Sequence, residues 1–184
     1  MATAKTRLTA DEYKQLPETM QPTELIDGEI IVSPAPLHIH QRLVMKLIQM
    51  LLPVVPDGGE LVTAPDDVYL DAVNVVQPDV FLIMGEESLC KLGENGYLHG
   101  APDLVCEILS PRTAIYDKRE KFTLYEKHGV REYWLIDSAN QWIEVFTRQE
   151  EKLILMGVYH QTKFTSPLLQ SEIDTNSIFS GVNA

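Results

Sequence analysis

Apolar residues along this chain follow two rhythms, one helical and one alternating or continuous over short runs. Thr9-Ala10-Asp11-Glu12 has the side chains of a capping box and predicts the start of a short helix. Residues 24–32 place two apolar runs on either side of Asp27-Gly28, a pair favoured in two-residue hairpin turns, and Pro34 and Pro36 end the second run. In residues 38–52, Leu43, Leu47, Ile48, Leu51 and Leu52 recur at helical spacing, and Pro53, Pro56 and Gly58-Gly59 then turn the chain. Strands are predicted over 60–63, 68–70, 75–84 and 103–109, with a polar, glycine-containing loop over 85–102. After Ser110-Pro111 a helix is predicted over 115–128, with Gly129 as its C-cap. Strands at 132–137, 142–146 and 152–159 follow, and a short helix near Ile178 closes the chain. No repeat, low-complexity segment or interdomain linker breaks this order. It predicts one α/β (α+β) domain over residues 1–184, with a mixed central sheet flanked by helices.

Composition narrows the class. With 184 residues, 45% hydrophobic and 23% charged, the chain can bury a sizeable core without disulfide or metal staples. Cys90 and Cys106 are its two cysteines; Cys106 lies in the apolar run Leu104-Val105-Cys106 and reads as an inert buried thiol, which suits a cytoplasmic setting. The first residues contain no apolar signal-peptide core, and no run approaches the ~20 apolar residues of a membrane span. A net charge of -12 argues against an extended nucleic-acid surface, since phosphate contacts need Lys and Arg. The charge is uneven, however. Residues 112–131 hold six basic residues (Arg112, Lys118, Arg119, Lys121, Lys127, Arg131) against three acidic ones, so this segment is either a local basic face or a solvated helix.

Acidic residues inside apolar strands need a reason, because an unpaired buried carboxylate costs several kcal/mol or shifts its pKa. Asp79 in Gln77-Pro78-Asp79-Val80-Phe81-Leu82-Ile83 and Glu107 in Leu104-Val105-Cys106-Glu107-Ile108-Leu109 are two such residues. On neighbouring strands they would stand with Cβ atoms ~4.5–5.5 Å apart, close enough to share one Mg²⁺. The alternative is that they sit at strand ends or pair with basic residues. Asp103, in a second Pro-Asp, is four residues from Glu107, ~13 Å along a strand, too far to join it on one metal. Lys121 borders the apolar face marked by Phe122 and Tyr125, and either reaches toward Glu107 or snorkels to water.

These residues form an ordered set. It runs Thr23-Glu24-Leu25-Ile26-Asp27-Gly28-Glu29, then His38 and His40-Gln41-Arg42, then Gln77-Pro78-Asp79, then Pro102-Asp103-Leu104-Val105 with Glu107, Leu109, Ser110 and Pro111. Tyr116-Asp117, Lys121, Tyr125, Gly129-Val130, Glu132-Tyr133-Trp134 and Ile136-Asp137 complete it. Over residues 9–160 the set resembles the Uma-type family of restriction endonucleases, in the PD-(D/E)XK nuclease superfamily. The resemblance implies a restriction-endonuclease-like core and Mg²⁺-dependent hydrolysis of DNA, with Mn²⁺ as a substitute metal. It assigns Asp79, Glu107 and the main-chain carbonyl of Ile108 to the metal, with Glu24 completing the shell directly or through water. Leu109 stands where the superfamily pattern has its lysine, and the matching lysine of this branch is Lys121 on the following helix. Its truncation is expected to slow cleavage and to leave folding and Mg²⁺ binding largely intact. His40 is expected to contact phosphate or product, or else to be an exposed or capping residue. A homodimer is also implied, with the strands of residues 141–160, carrying Trp142 and Phe146, as its exposed candidates. Two other classes stay open: a non-catalytic binding or assembly protein keeping the nuclease fold, and a metal-dependent hydrolase of small phosphoesters.

Overall fold

The computed structural model of the chain describes residues 7–17, 19, 21–109 and 117–182, and the side chains of all of these except 117 and 118. Arg112, Tyr116 and the expected start of the helix at 115 fall outside the described residues, as does the side chain of Lys118.

Among the described residues, fourteen strands build the fold. A first six-stranded sheet contains β1 (Thr23–Ile26), β2 (Glu29–Val32), β4 (Val68–Asp71), β5 (Asn74–Val76), β7 (Lys91–Leu92) and β8 (Leu98–His99), in the order β2-β1-β5-β4-β8-β7. A second contains β3 (Glu60–Thr63), β6 (Val80–Ile83), β9 (Leu104–Leu109), β10 (Glu132–Asp137), β11 (Trp142–Gln149) and β12 (Lys152–His160), in the order β12-β11-β10-β9-β6-β3. The remaining pair is the hairpin β13 (Lys163–Ser166) and β14 (Ser171–Asp174). Both large sheets are mixed: β4 runs parallel to β8 and β9 parallel to β10, while the other pairs are antiparallel. This is a mixed α+β architecture, as the order of elements predicts.

Helices cover the second sheet on both faces. The long helix α2 (His38–Leu51) buries Leu43, Leu47 and Leu51 against Val80, Leu82, Leu104, Cys106 and Trp134. On the other face α3 (Phe122–His128) buries Leu124 and Tyr125 against Phe81, Val105, Tyr133 and Leu135. That second core continues through Val68 and Val76 into the first sheet, so the two sheets share it. The small helices α1 (Ala10–Tyr13) and α4 (Thr175–Phe179) pack at the periphery of these cores. No helix among the described residues is long and apolar enough to cross a membrane.

Local chemistry explains the boundaries. Thr9 and Glu12 form the expected capping box. Asp27 and Gly28 turn the β1–β2 hairpin with φ of 48° and 76°, and a side chain at Gly28 would meet Leu8 O at 2.9 Å. Gly129 ends α3 in the left-handed region at φ 97°.

Four differences from the sequence reading matter. The strand expected over 75–84 is two strands in different sheets, because Pro78 has no N–H for a ladder and the chain crosses between sheets at Gln77-Pro78-Asp79. The loop expected over 85–102 contains the short pair β7 and β8. The β13–β14 hairpin has no counterpart in the sequence pattern. Before α3, residues Asp117–Lys121 form a wide π-type turn, so the angles of a regular α-helix do not apply around Lys121.

Glu132, fully buried at the start of β10, is structural. It accepts hydrogen bonds from Trp134 Nε1 (2.6 Å), Ser166 Oγ (3.0 Å) and the Leu168 N–H (2.8 Å), tying the β13–β14 hairpin to the second sheet. Replacing it with Ala strands these donors, each at ~1–3 kcal/mol. Glu132→Ala should therefore lower the unfolding free energy by roughly 3 kcal/mol or more in urea denaturation.

Candidate active site

The crossing at Gln77-Pro78-Asp79 and the centre of β9 build the site. The antiparallel register pairs Val80 with Cys106, Phe81 with Val105 and Leu82 with Leu104; carried one step further, it sets Asp79 opposite Glu107. Phe81 and Val105 face the α3 core, and strand alternation puts Asp79 and Glu107 on that same side. Asp79 Oδ2 accepts the Ile108 N–H at 2.7 Å and lies 3.1 Å from His40 Nε2, in the first turn of α2. Asp103, by contrast, accepts the Met84 N–H at 2.8 Å and pairs with Arg131 at 3.2 Å. It is a structural carboxylate remote from the pair, as its spacing requires.

Lys121 reaches inward. Its Nζ lies 2.8 Å from Glu24 Oε1 on β1 and 3.0 Å from Glu107 Oε1 on β9. Lys121, Glu24 and Glu107 are 4%, 5% and 3% exposed, so the ammonium is shared by two carboxylates away from bulk water. Tyr125, one turn further along the helix, donates to Glu107 Oε1 at 2.6 Å. Burial and the adjacent Glu107 push this phenol well above its ordinary pKa, which keeps it a donor. The Gln77 N–H donates to Glu24 Oε1 at 2.8 Å. All six residues singled out from sequence, Glu24, His40, Asp79, Glu107, Ile108 and Lys121, line one cleft of about 1000 Å³ between the two sheets.

This arrangement has relatives. Residues 10–176 match the model of the Uma2 family, whose description is "Putative restriction endonuclease". The chain belongs to the Uma2 family. A Synechocystis protein, sll1609, described as uncharacterized, is 30% identical over 175 residues, covering 90% of this chain and 97% of its own length. A second uncharacterized Synechocystis protein, slr1290, is 26% identical over 150 residues, 79% of this chain and 76% of its own. A crystal structure from Anabaena variabilis, described as a "putative nuclease belonging to DUF820", superposes with a TM-score of 0.78 at 24% identity, covering 95% of this chain and 99% of that one. It shares the fold of the Uma2 chain.

Among the described residues that line the Uma2 cleft, carboxylates outnumber lysines and arginines. Glu24, Asp67, Asp79 and Glu107 line it, against Lys14 and Lys121. Asp67 has no motif to mark it in the sequence. It accepts Gln77 Nε2 at 2.9 Å, and burial, with Asp66 and Glu24 nearby, raises its pKa despite the Gln77 hydrogen bond. Tyr125 belongs to the family motif, and the apolar pattern marks it as a core residue; its position four residues after Lys121 is the sequence signal that links the two. The expected basic face is partly spent on ion pairs: Lys127 meets Asp71 at 3.1 Å and Arg131 meets Asp103, while Arg119 is exposed.

The residues fit a divalent cation of modest demand. Asp79 and Glu107 offer two carboxylates from register-opposed positions in a cleft with excess negative charge. No three His, Cys, Asp or Glu side chains among the described residues converge as a ligand cluster; Glu24 gives Oε1 to Lys121 and the Gln77 N–H, and Glu107 gives Oε1 to Lys121 and Tyr125. Two carboxylates supplemented by water is a common Mg²⁺ mode.

The burial of Lys121 changes one expectation. Removing a cation from between two buried carboxylates typically costs ~3–5 kcal/mol, so truncating Lys121 is expected to cost stability as well as activity. Lys121→Ala should lower the unfolding free energy by an amount in that range, read as a lower urea midpoint, whereas an unchanged midpoint would mean that Lys121 contributes nothing to the buried trio.

Proposed function

We propose that the cleft hydrolyses phosphodiester bonds of DNA with Mg²⁺ held by Asp79 and Glu107, with Mn²⁺ able to replace it. The main-chain carbonyl of Ile108 is the third protein ligand in this reading. The observation that carries it is the convergence of Asp79, Glu107 and Lys121, from three separate chain segments, in one cleft of a restriction-endonuclease family fold. An anionic phosphodiester entering a wall of four carboxylates needs a cation to hold it there. Bound Mg²⁺ supplies that charge and lowers the pKa of the attacking water.

The protein groups divide the remaining work. Lys121 orients the water and stabilises charge developing on the phosphate. Glu24 and Glu107 hold the ammonium from two sides, which replaces the usual strand lysine: Leu109 occupies that position and is buried in the α3 core. Tyr125 fixes one oxygen of Glu107, and the Ile108 N–H fixes one of Asp79. His40 steadies Asp79 through Nε2 and meets a phosphate oxygen or the product through its ring.

Purified protein should cleave linear, circular or single-stranded DNA with Mg²⁺ or Mn²⁺ and not with EDTA. Asp79→Asn and Glu107→Gln should each slow cleavage by ~10²-fold or more, the scale of losing a positioned catalytic group. Metal-independent cleavage, or full activity in both variants, contradicts the assignment.

The same reading includes a homodimer, since cutting both strands of a duplex commonly needs two sites related by a two-fold axis. Trp142 and Phe146, expected to be exposed, are partly buried and pack against the core with Phe122. The exposed apolar side chains lie next door on the edge strand β12: Ile154, Leu155, Met156 and Val158. Light scattering at micromolar concentration should give twice the 20.8 kDa chain mass, and Leu155→Lys with Val158→Lys should halve it. A monomer in the unmodified protein contradicts this.

A further inference from the structure

Beside the carboxylates, the cleft wall becomes aromatic. Tyr13, Tyr69 and Tyr97 line it, and the Tyr69 ring lies 5.2 Å from that of Tyr97 in an edge-on arrangement. Tyr13 and Tyr69 are each 8% exposed, and Tyr97 is partly buried. Two polar atoms of this wall, Tyr69 Oη and Gln77 Oε1, are buried without a hydrogen-bond partner among the described residues. Such atoms are uncommon in a folded interior, because each unmade hydrogen bond carries a desolvation penalty. At the wall of a cleft, a ligand or water can supply the missing partner.

The chemistry of the wall narrows the ligand. Gln77 Nε2 donates to Asp67, which settles the amide orientation and leaves Oε1 as an acceptor in want of an N–H. Tyr69 Oη can donate or accept. Tyr97 offers a ring face that Lys14, an exposed side chain, now covers with its ammonium 4.5 Å from the centroid. An aromatic face beside an acceptor and a hydroxyl matches a nucleobase, with its flat π-surface and an edge carrying amines and carbonyls. Gln77 also joins this wall to the carboxylate site, because its backbone N–H holds Glu24, the partner of Lys121.

We infer that the wall formed by Tyr97, Tyr69 and Gln77 is a nucleobase subsite, taking one unpaired base of a DNA strand whose phosphodiester lies at Asp79 and Glu107. The base stacks on Tyr97, displacing Lys14 toward the phosphate, and sets its edge on Gln77 Oε1 and Tyr69 Oη. The phosphodiester half of this statement rests on the function proposed above. The charge of the cleft favours an unpaired strand over a duplex: tracking a duplex backbone takes many Lys and Arg contacts, and among the described residues Lys14 and Lys121 are the lysines and arginines that line this cleft, whereas single strands are bound largely by stacking.

The test is binding, read without cleavage. A fluorescently labelled single-stranded deoxyhexanucleotide is titrated with the full chain in Ca²⁺, a cation that carboxylate oxygens hold, with strand integrity checked after each titration, beside the same oligomer with abasic central positions and the corresponding duplex. The intact single strand should bind at least about fivefold more tightly than the abasic one, the low end of the effect of one stacked base. Tyr97→Ala should erase that difference. Tyr69→Phe, which removes only the unpartnered hydroxyl, should reduce it with the thermal transition unchanged. Equal affinity for intact and abasic strands, tighter binding of the duplex, or an undiminished difference in Tyr97→Ala overturns the subsite. A nuclease assay separates the two proposals: cleavage without base-dependent binding removes the subsite and leaves the nuclease, and base-dependent binding without cleavage does the reverse.

Discussion

The buried ion trio of Lys121 with Glu24 and Glu107 is the interaction on which the rest of the site depends. Charges this far from water persist only when paired, and each member comes from a different part of the fold: β1 of the first sheet, β9 at the centre of the second, and the turn leading into α3. The trio therefore fastens the two sheets and the helix at one point. Tyr125 and the Gln77 N–H satisfy further lone pairs of the two carboxylates, so the cluster is an electrostatic and a hydrogen-bonded joint together. The wide turn at Asp117–Lys121 delivers the lysine, and irregular turns of this type recur at functional sites.

A second constraint is the crossing at Gln77-Pro78-Asp79. Proline there cannot extend a ladder, so the chain leaves the first sheet after Val76 and joins the second at Val80. The two residues flanking Pro78 are thereby freed from regular pairing and face the cleft: Asp79 beside the Ile108 N–H and His40, and Gln77 between Glu24 and Asp67. One short interruption thus serves both the carboxylate pair and the aromatic wall. The position of Leu109 follows the same logic of space. It packs in the α3 core, 6% exposed, on the same face as Glu107, and a cation is supplied instead from the helix above.

Elements governed by local chemistry were legible in the sequence. The capping box at Thr9, the Asp27-Gly28 hairpin, the apolar stripe of α2 and the glycine stop after α3 all carry their cause within a few residues. Asp79 and Glu107 stood out because carboxylates are costly in apolar strands, and the family resemblance added Glu24 and Lys121. Features set by distant partners were hidden. The split of residues 75–84 between two sheets depends on which ladders each half joins, and alternation within one strand does not report that. Asp67 looks like an ordinary loop acid, and only its burial beside Gln77 makes it part of the cleft. The sequence places Lys121 at the border of the core, reaching toward Glu107 or snorkelling to water, and gives no sign that carboxylates from two other elements close over it.

The central claim is that Asp79 and Glu107 together hold a divalent cation, and crystals grown with Mn²⁺ test it most directly through anomalous scattering at the manganese edge. The account predicts one strong peak between the two carboxylates, within ligand distance of both, and its loss in Asp79→Asn. A cleft without a peak at saturating Mn²⁺, or a peak elsewhere that survives that substitution, would contradict it.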